Sequence, residues 1–387
     1  MRKWLLVLLV LALMLPGAAR AEEAVSLTAI SVGKGDALLL EVGAQRYLID
    51  TGRPWAWGRL ASALSELGVK ELDGVILTHT DKDHAGGLLP LAQSDVQVGA
   101  WYAASLYADP KKQEKHPMVV AAALRGQQVW FLNAGDEIPC DGGTIAVLAP
   151  LALDAEVENN NSLVLRVQTA QGALLLTGDM EFGEEAQLLA TGQSLAADVL
   201  KVPHHGEDDA TGAALVRAVS PKLAVICTDT EEEPDTPDPV VLATLEQAGA
   251  DVLVTQDAEM AVRVTLQGGE PGVELLGYAE ALPSLADVGL SVTAQPDAIL
   301  LENRGSEALE LSGWYLYTDR GEDLYLFPEG SIIAPGATMS VSTRESEAAG
   351  DLHWDVKNAV SNKKDDVVYL YDAYGRYVNS ADTYGGK

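Results

Sequence analysis

Short apolar runs alternate with amphipathic segments over the first two thirds of the chain. Runs rich in Val, Ile and Leu and bounded by glycine predict β-strands, whereas apolar residues at helical spacing predict helices. The predicted strands are 24–30, 37–42, 46–49, 74–77, 130–132, 144–148, 162–167, 173–176, 199–202, 223–226, 252–254 and 261–266, and the predicted helices are 60–67, 184–189 and 240–248. Because strands and helices interleave, the region is predicted to be α/β with mixed sheets.

The pattern changes at residues 280–296, where Pro283, Ser284, Gly289 and Pro296 indicate a linker. Beyond it, short apolar segments are separated by Gly and Pro turns. They are predicted as strands at 298–302, 314–316, 324–327, 338–341 and 367–370. Regular short strands with such turns predict a separate small β-sandwich at 297–382.

The first 21 residues have the pattern of a signal peptide. Arg2 and Lys3 precede an apolar run from Trp4 to Leu15, and Ala19-Arg20-Ala21 is an A-x-A cleavage site. The run is too short to span a membrane comfortably, and no later segment has the pattern of a membrane helix. The sequence therefore predicts secretion, with cleavage after Ala21 and no stable membrane insertion.

The formal net charge at pH 7 is −31, and 48% of the residues are hydrophobic. This balance predicts a folded, soluble chain that attracts cations. It disfavours tight binding of long nucleic acids unless a local basic patch or a bridging metal compensates. The two cysteines, Cys140 and Cys227, lack the spacing of a zinc site, and both a disulfide and two buried thiols are compatible with the sequence.

The most informative segment is 77–87, Leu-Thr-His-Thr-Asp-Lys-Asp-His-Ala-Gly-Gly, which follows an apolar run. It contains His79, Asp81, Asp83 and His84, and the Gly-Gly pair indicates a turn into a helix. A strand that ends in such a loop can direct several short side chains at one point, as a divalent metal requires. Imidazole together with carboxylate favours Zn, Mn or Fe over Ca.

This loop resembles the His-x-His-x-Asp-His signature of the metallo-β-lactamase superfamily, with Asp81 at the second histidine. Asp50, in Leu-Ile-Asp-Thr-Gly, resembles the early aspartate that supports the metal loop, and Asp179, in Leu-Thr-Gly-Asp, resembles the carboxylate that bridges two metals. The resemblance implies an αββα sandwich at 24–279 that holds two divalent ions. The metal ligands that it implies are His79, Asp81, Asp83, His84, Asp179, His204 and His205.

Within the superfamily the resemblance narrows. The segments Val-Gly-Lys-Gly-Asp-Ala at 32–37, Asn-Asn-Asn-Ser-Leu-Val-Leu at 159–165, the Thr-Gly-Asp element and Pro-His-His-Gly at 203–206 occur in this order. The combination is similar to the hydrolase domain of ComEC-type competence proteins. That domain is associated with DNA cleavage, and its relatives hydrolyse phosphodiesters.

The chain departs from that pattern in three places. The superfamily's usual histidine between the metal loop and the bridging aspartate is absent, and Asn161-Ser162 stands near its place. The stretch 235–239 lacks the histidines often found in the ComEC-type proteins, and Glu207 replaces the usual serine after His-His-Gly. These departures imply either one weakly held metal or a substrate other than DNA.

The implied chemistry is hydrolysis by a metal-bound hydroxide. Two ions bridged by Asp179 would share a hydroxide of lowered pKa and neutralise phosphate oxygens in the transition state. Asp83 would bind one ion and orient the hydroxide, so Asp83 and Asp179 are the predicted catalytic residues. The carboxylates of Asp81, Asp83 and Asp179 favour Mn²⁺ first, with Zn²⁺ close behind.

Five further residues are candidates around this site. Asn161 and Ser162 could donate hydrogen bonds to a phosphate, or could equally cap a strand end. Lys201 could contact an anionic substrate, although a lysine in strand alternation is more often simply exposed. Asp36, in a glycine-rich turn, and Asp50 are candidates for structural support of the site.

The C-terminal segment resembles the lamin-tail domain, an immunoglobulin-like β-sandwich. The resemblance rests on Leu-Glu-Asn-Arg-Gly at 301–305, Leu-Glu-Leu-Ser-Gly-Trp at 309–314, Pro-Gly at 335–336 and the apolar strand at 367–370. Leu311 and Trp314 are the predicted core anchors. No group of residues there suggests catalysis, so we interpret it as a binding or spacing module, with a surface or a macromolecule as the candidate ligand.

The leading interpretation is an exported metal-dependent hydrolase, a phosphodiesterase or nuclease, acting on a phosphodiester with DNA as one candidate. A small-molecule esterase or phosphodiesterase of the same fold stays open, because the negative charge favours small or metal-shielded substrates. A non-catalytic binding protein with a degenerate metal site also stays open, supported by the missing late histidine.

Overall fold

The computed structural model describes residues 25–105, 113–285, 288–295, 298–343, 351–356, 360–361 and 364–383. The predicted signal peptide at 1–21 lies outside these residues. Within them, no helix combines the length and apolar composition that crossing a bilayer requires.

Two mixed β-sheets form the larger part of the described chain. The first has the spatial order β17 (Glu270–Leu276), β16 (Ala261–Gln267), β1 (Val25–Ile30), β2 (Leu38–Val42), β3 (Gln45–Ile49), β5 (Gly74–Leu77), β7 (Trp101–Ala104) and β8 (Val129–Leu132). The second has the order β15 (Asp251–Val254), β14 (Leu223–Ile226), β13 (Val199–Lys201), β12 (Gly172–Leu176), β11 (Val164–Thr169), β10 (Gly143–Ala149) and β9 (Glu137–Cys140). A short ribbon pairs β4 (Glu71–Leu72) with β6 (Gln97–Val98).

Helices cover the outer face of each sheet. Those beside the first sheet are Trp57–Glu66, Lys82–Ala85, Leu88–Gln93 and Pro117–Leu124, and those beside the second are Phe182–Ala190, Ala213–Val219 and Pro239–Gln247. Short 3₁₀ turns occupy Pro54–Ala56, Asn159–Asn161, Pro203–Gly206 and Thr255–Asp257.

The inner faces of the two sheets share one core. Leu40 and Ile76 of the first sheet are buried in the same apolar cluster as Leu165 and Val199 of the second. Since helices cover the outer faces as well, central strands such as β14 are buried along their whole length, which explains their continuous apolar sequence. The four layers form an αββα sandwich, and the predicted α/β class with mixed sheets is confirmed.

The C-terminal part is a β-sandwich. One sheet has the order β18 (Leu290–Gln295), β19 (Ala298–Asn303), β24 (Thr338–Thr343) and β25 (Leu352–Trp354), and the other has β22 (Leu324–Leu326), β21 (Tyr315–Thr318), β26 (Asp366–Tyr371) and β27 (Tyr377–Thr383). A ribbon pairs β20 (Leu309–Glu310) with β23 (Ile332–Ile333). Leu311 is buried in the sandwich core, and Trp314 packs half-buried against it, as their predicted anchoring role requires.

Some elements are not visible in the hydrophobic pattern. Strand β18 lies inside the predicted linker at 280–296 and pairs antiparallel with β19, with Leu290 opposite Asn303. Pro and Gly around it give turn signals, and pairing with a neighbour is what makes it a strand. Cys140 and Cys227 are both free thiols. The domain boundaries 24–279 and 297–382 stay predictions.

The sandwich packs closely against the helix Trp57–Glu66. The buried Tyr315 hydroxyl donates to the Trp55 carbonyl at 2.5 Å and accepts a hydrogen bond from the Gly58 N–H at 3.3 Å. A Cβ atom added to Gly58 would clash with the backbone nitrogen of Gly375. Two backbones therefore meet where only glycine fits, and Tyr315 ties the sandwich to residues 55–58 by one buried and one partly buried hydrogen bond.

We expect Tyr315→Phe to lower the free energy of unfolding by about 1–3 kcal/mol, because it leaves a buried N–H and carbonyl without a partner. Chemical denaturation followed by tryptophan fluorescence measures the change. Tyr377→Phe is the matched control, because that ring is 55% exposed and its loss should cost under about 0.5 kcal/mol. Equal, small effects of both substitutions would contradict the importance of this contact.

Candidate metal centre

Four strands lead into segments that carry acidic or histidine residues on one edge of the sandwich. In the first sheet the parallel strands β3 and β5 lead into Asp50 and His79. In the second sheet the parallel strands β12 and β13 lead into the segments that carry Asp179 and His205. Because the carboxyl ends of parallel strands lie on the same edge of a sheet, these side chains gather there.

Asp83, His84, Asp179 and His205 form the central cluster, and the donor atoms that they offer lie within 4.8 Å of one another. Asp179 Oδ2 lies 2.9 Å from His84 Nε2 and 3.0 Å from His205 Nε2. The two Nε2 atoms are 3.3 Å apart, and Asp83 Oδ2 is 3.7 Å from His205 Nε2. Two imidazoles and two carboxylates directed at one small volume are a donor set suited to divalent metal ions.

His79 extends this set. Its ring centroid is 4.2 Å from that of His84, and its Nε2 lies 3.7 Å from Asp81 Oδ2. His79 is 3% exposed, and its Nε2 has no hydrogen-bond partner. A buried nitrogen without a partner costs free energy unless a ligand satisfies it. The residues therefore fit a second divalent ion beside the central cluster.

Asp50 lies behind His84 and orients it. Its Oδ2 accepts hydrogen bonds from His84 Nδ1 at 2.7 Å and from Thr78 Oγ1 at 2.6 Å, and its Oδ1 accepts one from the Thr78 N–H at 2.8 Å. An ion that displaces the Nε2 proton of His84 would find the lone pair directed at the cluster, because Asp50 keeps a proton on Nδ1. The backbone of Asp50 has a positive φ of 60°, which turns the chain at the strand end.

Lys201 and Asp36 form a buried ion pair beneath the cluster. Lys201 Nζ lies 2.6 Å from Asp36 Oδ2 and 3.5 Å from Asp179 Oδ1, and it donates to the Gly178 carbonyl at 3.0 Å. Lys201 is fully buried and Asp36 is 1% exposed. Lys201 therefore cannot contact a substrate, as its predicted role required, because β13 is covered on both faces.

The buried charges shift one another's pKa. Burial raises the pKa of Asp179, but His205 and His84 outweigh it and hold that pKa well below its usual range. Burial lowers the pKa of His84, but Asp179 and Asp50 raise it well above the usual value. Burial, followed by the charge of His84, lowers the pKa of His79 to about 3. His79 is therefore neutral near pH 7 and keeps a lone pair for a metal.

The glycine-rich turn at 33–36 packs directly on the metal loop. The Asp36 N–H donates to the Asp83 carbonyl at 3.1 Å. A Cβ atom at Gly35 would lie 2.6 Å from the same oxygen. Glycine at this position allows the close approach that places Asp36 beneath the cluster.

The histidine pair divides between two environments. His204 and His205 both have positive φ angles, 46° and 53°. His205 Nδ1 donates to the Cys227 carbonyl at 2.7 Å, which leaves Nε2 in the central cluster. His204 instead contacts Asp209, with Nδ1 2.8 Å from Oδ1, and its ring centroid is 6.2 Å from that of His205. The structure therefore places His204 outside the central cluster.

The two candidate phosphate donors face inward. Asn161 Oδ1 accepts from the Asp154 N–H at 2.8 Å, and its Nδ2 donates to the Asp154 carbonyl at 2.9 Å. Ser162 Oγ accepts from the Asp179 N–H at 3.0 Å and lies 3.4 Å from His79 Nδ1. Both side chains are buried. Their contacts order the loop and the proposed metal ligands, and a role of either residue in substrate binding stays a prediction.

Two residues beside the centre were not identified from the sequence. Thr78 supports Asp50, and its place between a buried strand and His79 is the only sequence signal for that role. Arg53 Nη2 lies 3.7 Å from Asp83 Oδ2, and its Nε donates to the Lys34 carbonyl at 3.0 Å. Arg53 directly follows Asp-Thr-Gly at 50–52, so a basic residue in the aspartate loop was the available signal.

Family comparisons agree with this geometry. Residues 30–230, more than half of the chain, match the model of the metallo-beta-lactamase superfamily, and residues 284–385 match the model of the Lamin Tail Domain. The ComE operon protein 3 of Bacillus subtilis is 31% identical over 244 residues, which cover 58% of this chain and 31% of that protein. The competence protein ComA of Neisseria gonorrhoeae is 30% identical over 206 residues, which cover 53% of this chain and 27% of that protein. The chain thus spans about a third or less of these relatives' length.

Solved structures resemble the chain more distantly. The diiron β-hydroxylase CmlA from Streptomyces venezuelae has 14% identity and a TM-score of 0.41, covering 64% of this chain and 54% of its own. A diphosphatase from the PhnP family has 13% identity and a TM-score of 0.40, covering 63% of this chain and 98% of its own.

Replacing Lys201 by methionine should lower the free energy of unfolding of the metal-free protein by about 3–5 kcal/mol, because Asp36 is left as an unpaired buried charge. Urea denaturation measures the loss. Lys222→Met, which removes a half-exposed ion pair with Glu270, should cost under about 1 kcal/mol. A loss of similar size in the two variants would show that the buried pair has no special weight.

Asp50→Asn should weaken divalent metal binding by about 10- to 100-fold, since the amide no longer fixes the His84 tautomer. Competition titration with a chelating dye measures the dissociation constant. The exposed Asp95→Asn serves as the charge-matched control and should leave it unchanged. An unaltered affinity in Asp50→Asn would mean that His84 is not a ligand or needs no support.

Proposed function

The chain belongs to the metallo-beta-lactamase superfamily, and from that premise we propose that it is an exported, metal-dependent phosphodiester hydrolase. The observation that carries the proposal is the convergence of the central cluster with the unpartnered His79 Nε2 at one edge of the sandwich. The residues that we propose as metal ligands are His79, Asp81, Asp83, His84, Asp179 and His205.

The chemistry divides between the ions and the side chains. Bound divalent ions would supply a water of lowered pKa and positive charge for the phosphoryl oxygens. Asp179 would be a ligand shared by the ions, a role supported by its contacts with both His84 and His205. Asp83 would hold an ion through one carboxylate oxygen and orient the attacking water through the other. The carboxylate-rich set favours Mn²⁺, with Zn²⁺ next.

DNA is the first candidate substrate. The relatives that align with the hydrolase region are named as competence proteins and, in Haemophilus influenzae, as a recombination protein. The ordered motifs around Asp36, Asn161, Asp179 and His205 are those that the chain shares with ComEC-type hydrolase domains. A nuclease that acts outside the cell would combine these motifs with the signal-peptide pattern at 1–21.

A small phosphodiester is the second candidate, favoured by the charges around the centre. Lys34 pairs with Glu207, and Arg53 lies 4.0 Å from Glu233. Because glutamates neutralise both of these basic side chains, they do not form a positive track for a long polyanion. The net charge of −31 acts in the same direction. The sandwich domain would then hold the enzyme at a surface or on a macromolecule.

We expect the chain from residue 22 onward to bind Mn²⁺ or Zn²⁺ and to hydrolyse bis-p-nitrophenyl phosphate. Metal content is measured by mass spectrometry of the dialysed protein, and turnover by absorbance. Asp179→Asn should lower turnover at least about 100-fold, since it removes a carboxylate at the centre of the cluster. The exposed Asp251→Asn is the matched control and should retain it.

A parallel assay with single-stranded DNA separates the two candidates. Cleavage that falls steeply with added salt supports the nuclease, because each phosphate contact releases counterions. Turnover of the small diester alone, unaffected by salt, supports the small-substrate enzyme. A protein that binds no metal and cleaves neither substrate would refute the hydrolase and favour a binding protein.

A further inference from the structure

His204 lies in a second polar cluster that the proposed hydrolytic centre does not use. Glu181, His204 and Asp209 each offer a donor atom, and these atoms lie within 4.8 Å of one another. Glu181 directly precedes the helix Phe182–Ala190 in the segment after β12, and the two others follow β13. The cluster therefore lies beside the central one but on different side chains.

The ring of His204 is held at both nitrogens. Nδ1 lies 2.8 Å from Asp209 Oδ1, and Nε2 accepts a hydrogen bond from Asn159 Nδ2 at 3.2 Å. Asn159 Nδ2 also donates to Glu181 Oε1 at 2.9 Å, so the amide connects the histidine to the first carboxylate. Both nitrogens of His204 are therefore occupied in the metal-free chain, and a cation bound at Nε2 would take the place of the Asn159 amide.

The backbone joins the two segments before any ligand is present. The Phe182 N–H donates to the Asp209 carbonyl at 3.0 Å, which ties the segment after β12 to the segment after β13. The His204 side chain is 13% exposed and that of Asp209 is 41% exposed. The cluster is thus pre-ordered and also open to water, as an exchangeable ion requires.

Negative charge dominates this cluster. Besides Glu181 and Asp209, Glu207 Oε1 lies 3.9 Å from His204 Nε2. Glu207 forms an ion pair with Lys34. The cluster nevertheless contains three carboxylates, those of Glu181, Glu207 and Asp209. Imidazole and carboxylate donors in a partly exposed, negative cluster match the preference of Mn²⁺-type cations.

We propose that Glu181, His204 and Asp209 bind a third divalent cation, separate from the ions of the central cluster and more readily exchanged. Of the two adjacent histidines, His204 would then bind this cation and His205 would bind an ion of the central cluster. The cation would place positive charge at the edge of the hydrolytic centre, where the protein's own cations are neutralised by glutamates. Its role as a counter-charge for a phosphodiester rests on the proposed function, but its binding does not.

Equilibrium dialysis against Mn²⁺, with the bound metal counted by mass spectrometry, tests the site directly. We expect His204→Ala, Asp209→Asn and Glu181→Gln each to bind one ion fewer per chain than the unchanged protein. Asp208→Asn removes the same charge from the neighbouring exposed residue and should keep the full number. Far-ultraviolet circular dichroism of each variant verifies that the fold is retained.

A second variant set separates this site from the central one. The double variant Asp179→Asn, His84→Ala should lose the central ions and still bind one Mn²⁺, which Asp209→Asn added to it should abolish. If only His204→Ala lowers the number of bound Mn²⁺ ions per chain, His204 belongs to the central cluster and the proposal is overturned. Equal metal counts in all variants overturn it as well. A protein that retains the third ion but hydrolyses nothing would refute the proposed function alone.

Discussion

Three carboxylates, Asp36, Asp50 and Asp179, are almost completely buried at one edge of the sandwich. A buried carboxylate is tolerated only where a cation or several hydrogen bonds compensate for the lost water. Lys201 pairs with Asp36, His84 and His205 pair with Asp179, and His84 together with Thr78 satisfies Asp50. Because these partners come from strands of both sheets, the charge network fixes how the two sheets meet. The same compensation directs the Nε2 edges of His84 and His205 at Asp179, so the candidate metal centre follows from the way the charges are buried.

The sequence predicted those residues of the centre whose positions follow from the direction of the strands alone. His79 and Asp179 come directly after parallel strands, and the carboxyl ends of such strands meet at one edge whatever the detailed packing. The burial of Lys201 was not anticipated, because strand alternation assumes one solvent face, whereas β13 is covered by helices on its outer face and by the first sheet on its inner face. The choice between His204 and His205 depends on two left-handed backbone conformations, which spacing along the chain does not encode. Local pattern therefore identified the donors, and tertiary packing decided which of them face inward.

The C-terminal sandwich is in contact with the segments that carry the metal ligands. Lys82, the first residue of the helix Lys82–Ala85 that carries Asp83 and His84, forms an ion pair with Glu322 of the sandwich. Tyr315 holds the turn that follows the aspartate loop. The hydrophobic pattern predicted the sandwich, and the Pro and Gly residues before it predicted a linker at 280–296. The contacts between the two regions were not predicted, because such contacts leave no periodic signal in the sequence. The two regions are therefore in direct contact beside the segments that carry the proposed metal ligands.

The net negative charge of the chain opposes the proposed chemistry, because a negatively charged phosphodiester must approach it. Ions at the central cluster and at the cluster around His204 would reverse the local sign where the reaction occurs. Lys201 is paired with Asp36, and Lys34 and Arg53 contact glutamates, so these basic side chains are already compensated. Negative charge at the entrance raises the local concentration of divalent cations, and the cations in turn attract phosphate. On this argument the acidity of the chain is a means of recruiting metal, and affinity for the substrate should depend on metal concentration more than on any basic side chain.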